Sequence, residues 1–306
     1  MDLQEPDRSG FVELNRTRLR LWEWGDPAGP PVLCVHGGFD HGRMWDGFAP
    51  LLAAEGFRVV AIDVRGHGDS GRLSSGHAWG AVALDLACLA RHLGAPIGVI
   101  GHSFGGGQSL GLAAVWPELV RWVVNLDGLG PPPAAFAPYD IADAARDGLR
   151  SYEKVLGPPR VYPTLADMAA RRGQINIRLP QPWLDHLVTH ASAPVEGGFV
   201  WKVDPLFRVG LPNAFSLDTL LTEYALVQCP VLALTGSEHD TWSELSPDEL
   251  ASRLSRFRDA RHQVIAGAGH YVHIEQPDQV LDAVRKFVAE VDGLGTRSAS
   301  DADVPA

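Results

Sequence analysis

The chain has 306 residues, 45% of them hydrophobic and 21% charged, and carries 37 acidic against 26 basic side chains for a formal net charge of −11. Those fractions exclude collagen, a disulfide scaffold and global disorder. The acidic balance disfavours nucleic acid or an anionic membrane as a partner, because both need a basic footprint. No run approaches the ~20 apolar residues of a membrane span, and Met1 to Gly10 lacks the basic start and apolar stretch of a signal peptide. Cys34, Cys88 and Cys229 are too scattered for a disulfide framework or a zinc site. A cytoplasmic protein is expected, and a monomer and a homodimer are both compatible with the sequence.

In chain order, Phe11–Asn15 and Leu19–Gly25 predict an opening hairpin. Pro31–Gly37 is a continuously apolar run, as a strand buried on both faces should be. Met44–Glu55 has helical spacing and ends at Gly56, and Phe57–Val64 is a second buried strand. His77–Leu93 predicts a helix, Ile97–Gly101 a strand, Gly105–Trp116 a helix and Val120–Leu126 a strand. Strands alternating with long helices mean βαβ units and a mostly parallel sheet. After Asp127 the rhythm breaks: Tyr139–Leu156, Leu165–Arg171, Pro182–Thr189 and Ser216–Ala225 predict short helices, with at most a brief extended piece at Phe199–Val203. Pro230–Thr235 and Arg261–Ile265 restore the strand pattern, and Asp278–Val291 closes as an amphipathic helix. The expected organisation is a discontinuous core at 1–130 and 229–294, a mostly helical insertion at 131–228, and a small, polar, disordered tail at 295–306.

The chemistry concentrates at strand ends. Gly101-His102-Ser103-Phe104-Gly105 lies where an apolar strand gives way to a helix, the setting that a nucleophile elbow requires. A serine hydroxyl needs a base to take its proton, and His270, on the glycine-flanked loop after Arg261–Ile265, is the best placed; His273 competes. The histidine needs an acidic acceptor on its other nitrogen. Asp240 is favoured because it follows Pro230–Thr235 and gives the order Ser, Asp, His. Asp127, at the end of Val120–Leu126, is the alternative, and Glu238 is a weaker third. Oxyanion donors are expected from the N–H of Phe104 and from the loop His36-Gly37-Gly38-Phe39, where Gly38 is favoured over Phe39. No metal site is expected: there is no H-E-x-x-H, and His186 and His190 lack a third ligand.

The strings His36-Gly37-Gly38, Asp63 to Ser70, Gly101 to Gly105 and Gly269-His270, in that order, resemble the α/β-hydrolases of the cap-domain, esterase and haloperoxidase-like type over about Val32 to Val291. The resemblance implies an α/β fold with a mostly parallel eight-stranded sheet flanked by helices and a cap inserted after the sixth strand. It implies a serine hydrolase that acts on a small-molecule ester, thioester or lactone through an acyl-enzyme and without a cofactor. Family members that open epoxides or displace halide carry Asp at the place of Ser103, and iminopeptidase-like members carry Trp at the place of Phe104. The family acid commonly falls three residues after the strand-ending glycine, here His239, which keeps Asp127 open beside Asp240. A cap pocket would be lined by Trp183, Trp201 and Phe207, with Phe199 and Phe215 nearby in sequence, favouring an apolar or aromatic substrate. A C–C bond hydrolase or lyase using the same triad, and a ligand receptor with a vestigial triad, remain the alternatives.

Overall fold

The computed structural model describes residues 3–72, 79–133, 141–209, 216–242 and 245–297. Strands β1 (Arg8–Leu14), β2 (Thr17–Trp24), β3 (Pro31–Val35), β4 (Arg58–Asp63), β5 (Ile97–His102), β6 (Val120–Leu126), β9 (Val231–Gly236) and β10 (Ala260–Ile265) form one eight-stranded sheet in the order β1-β2-β4-β3-β5-β6-β9-β10. β1–β2 and β2–β4 pair antiparallel, and every later neighbour pairs parallel. This is the mostly parallel arrangement that the alternating strands and helices predict, with the eight strands that the resemblance implies.

The inner strands read as unbroken apolar runs because helices cover both faces. Successive residues point to opposite sides. Val32, Cys34, Val59, Ala61, Leu232 and Leu234 enter one core cluster. Leu33, Val35, Val60, Ile62, Val231 and Ala233 enter the other. The three cysteines are free, and burial pushes the Cys229 thiol up to about 12.

Helices α2 (Trp79–Leu93) and α3 (Phe104–Val115) make the early crossovers. The helix expected over Met44–Glu55 divides into a 3-10 turn at Gly42–Trp45 and α1 (Ala49–Ala54), which restarts with Pro50 in its first turn, where a missing N–H costs nothing. Helix α10 (Pro277–Arg297) closes the chain and runs into the expected tail, of which 298–306 lie outside the described residues.

The insertion after β6 contains α4 (Ile141–Val155), α5 (Leu165–Gly173), α6 (Gln181–Ala191) and an unanticipated hairpin of β7 (Ser192–Val195) and β8 (Gly198–Trp201). A capping box between Thr164 and Asp167 starts α5. Met168, Trp183, Leu184 and Leu187 share one apolar cluster with Trp45, Phe48 and Ile274, so the insertion is packed onto the core. Helix α7 (Leu217–Leu226), expected within the insertion, lies against α3 and sends Leu220 and Tyr224 into the second core cluster. Capping-box residues Ser246 and Glu249 start α8 (Pro247–Leu254), and the short α9 (Val272–Glu275) precedes α10.

Two core contacts generate predictions. A Cβ on Gly98 would fall inside the buried Trp122 indole, 2.7 Å from Cε2. Gly98→Ala is expected to cost about 1–3 kcal/mol through overpacking, read as a lower midpoint in chemical denaturation. His273 stacks on Trp45 at 4.6 Å with both ring nitrogens buried and unpartnered, and burial lowers its pKa from 6.5 to about 3. Below 6.5 the unfolded chain therefore binds a proton that the folded chain refuses. The stabilisation is complete above that pH and is lost as pH falls towards 3. His273→Phe is expected to reduce the acid-side slope of stability by about 1.4 kcal/mol per pH unit; an unchanged slope in thermal denaturation between neutral and acid pH would count against a neutral buried ring.

Candidate active site

Ser103 stands between β5 and α3 with φ 53 and ψ −119, a left-handed backbone strained for a residue with a Cβ. The flanking glycines make this turn possible. A Cβ on Gly101 would meet Ser109 Oγ at 2.5 Å and overlap the Gly105 carbonyl. One on Gly105 would meet the His36 carbonyl at 2.5 Å. The Ser103 N–H donates to Leu126 O at 2.9 Å, and the Ser103 carbonyl accepts from Gly107 N–H at 3.1 Å, so the turn is anchored to β6 and α3. The serine is partly exposed at the C-terminal edge of the sheet, where ligands of open α/β sheets bind.

His270 arrives from the loop after β10. Its ring Nδ1 lies 2.6 Å from Asp127 Oδ2 and donates to that carboxylate, while its backbone N–H donates to Asp240 Oδ2 at 3.0 Å. The sequence expectation pairs the ring with Asp240; the structure pairs it with Asp127. The physical reason lies in the local anchoring of each carboxylate. Asp240 is 2% exposed and its oxygens are taken by the N–H groups of His270 and of Thr241, the latter at 2.5 Å. Asp127 follows β6 at φ 49, with its own N–H held by Leu234 O at 2.8 Å, and turns its carboxylate to the ring. Glu238 is exposed, and His273 is sealed in the core. His102 donates from Nε2 to the His270 carbonyl at 3.0 Å, and burial keeps its pKa well below the usual histidine value.

The loop after β3 turns at Gly37–Asp40, closed by Asp40 N–H to Gly37 O at 3.2 Å. A Cβ on Gly38 would lie 3.7 Å from Phe104 Cβ, so the two residues expected to donate to an oxyanion are neighbours. Phe39 has φ 66, and its N–H already donates to His67 Nε2 at 3.2 Å. Of the cap aromatics, Phe207 is brought to this corner, with ring centroids 5.2 Å from Phe39, 4.4 Å from His67 and 5.2 Å from Phe104. Trp183 is not: it is 1% exposed, wedged against Gly47 and 5.5 Å from the His186 ring. Trp201 packs on Tyr162 at 6.1 Å, its neighbour Phe199 is tied to the Tyr162 backbone, and Phe215 lies outside the described residues. A cavity of about 480 Å³ lies beside Asp127, walled by Leu129, Thr235, Trp242, Leu250 and His262 among others.

Sequence reasoning missed the polar residues that brace these loops. Arg172 of α5 donates to Phe39 O at 3.1 Å, to Tyr271 Oη at 3.0 Å and to Asp40 Oδ1. Arg178 donates to Glu275 Oε2 at 2.7 Å and to Gly267 O at 3.0 Å, and Glu275 Oε1 accepts the Gly269 N–H at 3.1 Å. Nothing in the local pattern around either arginine marks it, since partners 89 to 133 residues away define both. The structure also supplies the third ligand-type group that His186 and His190 lack in sequence: Asp46, with all three donor atoms within 4.8 Å. Both Asp46 oxygens accept from Arg43 Nε, at 2.9 and 2.8 Å, and His186 Nε2 donates to Arg43 O at 3.0 Å, so the group works as a hydrogen-bonded clasp between insertion and core.

The family model described as the alpha/beta hydrolase family matches residues 32–283. A serine hydrolase-like protein of Danio rerio is 30% identical over 285 residues, covering 88% of this chain and 85% of its own. A 2-(acetamidomethylene)succinate hydrolase of Mesorhizobium japonicum is 30% identical over 284 residues, covering 90% and 94%. Among solved structures, a thioesterase domain from the curacin biosynthetic pathway superposes with a TM-score of 0.78 at 24% identity, over 91% of this chain and 98% of that one, a likeness of fold. Sheet order, elbow and comparisons agree: the chain belongs to the alpha/beta hydrolase family.

Proposed function

We propose that the protein is a serine hydrolase that cleaves a small carboxylic ester, thioester or lactone through an acyl-enzyme. The observation that carries this reading is the 2.6 Å contact between His270 Nδ1 and Asp127 Oδ2 in a family member whose elbow bears a serine. Ser103 Oγ attacks the substrate carbonyl while His270 Nε2 takes its proton. Asp127 fixes the tautomer with the proton on Nδ1 and stabilises the imidazolium that forms. The tetrahedral oxyanion is held by the N–H groups of Gly38 and Phe104; Phe39 is the poorer donor because His67 occupies its N–H. His270 then returns its proton to the leaving alcohol or thiol, and water, activated by the same histidine, releases the acid. Asp240 contributes by holding the His270 backbone. The cluster of Phe39, Phe104 and Phe207 favours an apolar or aromatic group next to the scissile bond.

None of these steps calls on a cofactor. No helix among the described residues is long and apolar enough to cross a membrane, and the three free cysteines fit a reducing compartment, which we take to be the cytoplasm.

A fluorophosphonate probe with a panel of p-nitrophenyl esters tests the reaction. Stoichiometric labelling that Ser103→Ala abolishes, together with steady ester turnover, is expected. Labelling without turnover of esters, thioesters or lactones would instead fit a ligand-binding role. The acid is tested separately: Asp127→Asn should lower kcat by about 10³–10⁴, while Asp240→Asn should cost about tenfold, through a loosened His270 backbone. The reverse order would return the acid to Asp240.

A further inference from the structure

We infer that Arg172, a cap residue, is a positioning residue for the oxyanion hole, and that it holds the loop that presents the Gly38 N–H. The inference rests on the ester-hydrolase reading above and goes beyond it by giving the cap a part in the chemical step.

The turn Gly37–Asp40 has little to hold it from within. Its one internal hydrogen bond among those described is Asp40 N–H to Gly37 O at 3.2 Å, and Phe39 sits in a left-handed conformation that a residue with a Cβ resists. Groups outside the turn hold it on both sides of Phe39. His67 Nε2 accepts the Phe39 N–H on one side of the strained residue, and Arg172 Nη1 donates to the Phe39 carbonyl on the other, at 3.1 Å. The peptide units flanking Phe39 are thereby pinned in orientation, and the one before them carries the Gly38 N–H.

The second part of the evidence is charge. Asp40 is 3% exposed, and its Oδ2 folds back to within 3.0 Å of where a Cβ on Gly37 would lie. An uncompensated carboxylate so close to the Gly37–Gly38 peptide would oppose the negative charge that develops on the substrate oxygen. Arg172 cancels it through an ion pair with Asp40 Oδ1. Tyr271, the residue after the proposed base, completes the brace: its hydroxyl donates to Asp40 Oδ2 at 3.3 Å and accepts from Arg172 at 3.0 Å and from Asn176 Nδ2 at 3.2 Å. Burial and the neighbouring Asp40 push the Tyr271 phenol up, which keeps it a neutral donor. One cap guanidinium thus binds the oxyanion loop and the base loop to each other.

The test is steady-state kinetics on a p-nitrophenyl ester combined with binding of a trifluoromethyl ketone, which forms a tetrahedral adduct with the serine. Arg172→Met should lower kcat by about 10- to 100-fold, leave KM within about threefold, and weaken the ketone by the same factor as kcat. Arg172→Lys should recover only part of this, because one ammonium cannot reproduce the planar fork that bridges Phe39 O, Asp40 and Tyr271. Should Arg172→Met fail to fold, the double variant Asp40→Asn/Arg172→Met removes both buried charges, and it should retain a cooperative melt while still losing kcat. A raised KM with unchanged kcat, or unchanged ketone affinity in a folded variant, would overturn the inference. Absence of ester turnover and of Ser103 labelling in the wild-type protein would instead overturn the hydrolase reading beneath it.

Discussion

The hydrogen bond between His270 Nδ1 and Asp127 Oδ2, at 2.6 Å, is the constraint on which the arrangement of this molecule turns. It joins a loop beyond β10 to the end of β6, two strands separated in the sheet by β9. To meet, both residues must be aimed by backbone contacts. Leu234 of β9 fixes the N–H of Asp127, and Asp240, from the loop after β9, fixes the N–H of His270. The strand between the two partners thus positions both. Ser103 is tied to the same place, since its N–H bonds to Leu126, the residue before Asp127. A parallel sheet whose strands all end at one edge brings together groups that the chain spaces more than 140 residues apart.

The insertion after β6 shares in this positioning. It is continuous with the core cluster that contains Trp45 and Phe48, and it is clasped at Asp46, Arg43 and His186. Its other contacts fall on the loops that carry the proposed site residues: Arg172 on Phe39 and Asp40, Arg178 on Gly267 and Glu275. Asp204 N–H donates to Gly66 O at 2.7 Å, securing Phe207 above His67 and Phe104. Burying Arg172 beside Asp40 is tolerable because the pair is neutral together and nearly every polar atom around it has a partner. Removing either charge alone leaves the other stranded.

The strands and the strained turn at Ser103 were legible because their signals are local. Unbroken apolar runs such as Val32–Val35 admit few readings, and glycines on either side of Ser103 answer a steric demand within five residues. Helix α8 was also legible in principle, since Ser246 and Glu249 spell a capping box. The acid was not. Whether Asp127 or Asp240 meets the ring depends on the lateral order β6-β9-β10 and on one residue of offset after Gly236, and neither is written in a local pattern. The same holds for Phe207 against Trp183. Both are cap aromatics, yet one faces the proposed nucleophile's helix and the other is consumed by packing on Gly47.

The pairing of His270 with Asp127 can be observed directly, apart from any substrate. A proton shared between an imidazole and a carboxylate at this distance gives a far-downfield N–H resonance in proton NMR, assignable by its loss in His270→Ala. The account predicts that this resonance persists in Asp240→Asn and disappears in Asp127→Asn, with both variants folded. A resonance that survives Asp127→Asn and vanishes in Asp240→Asn would contradict it.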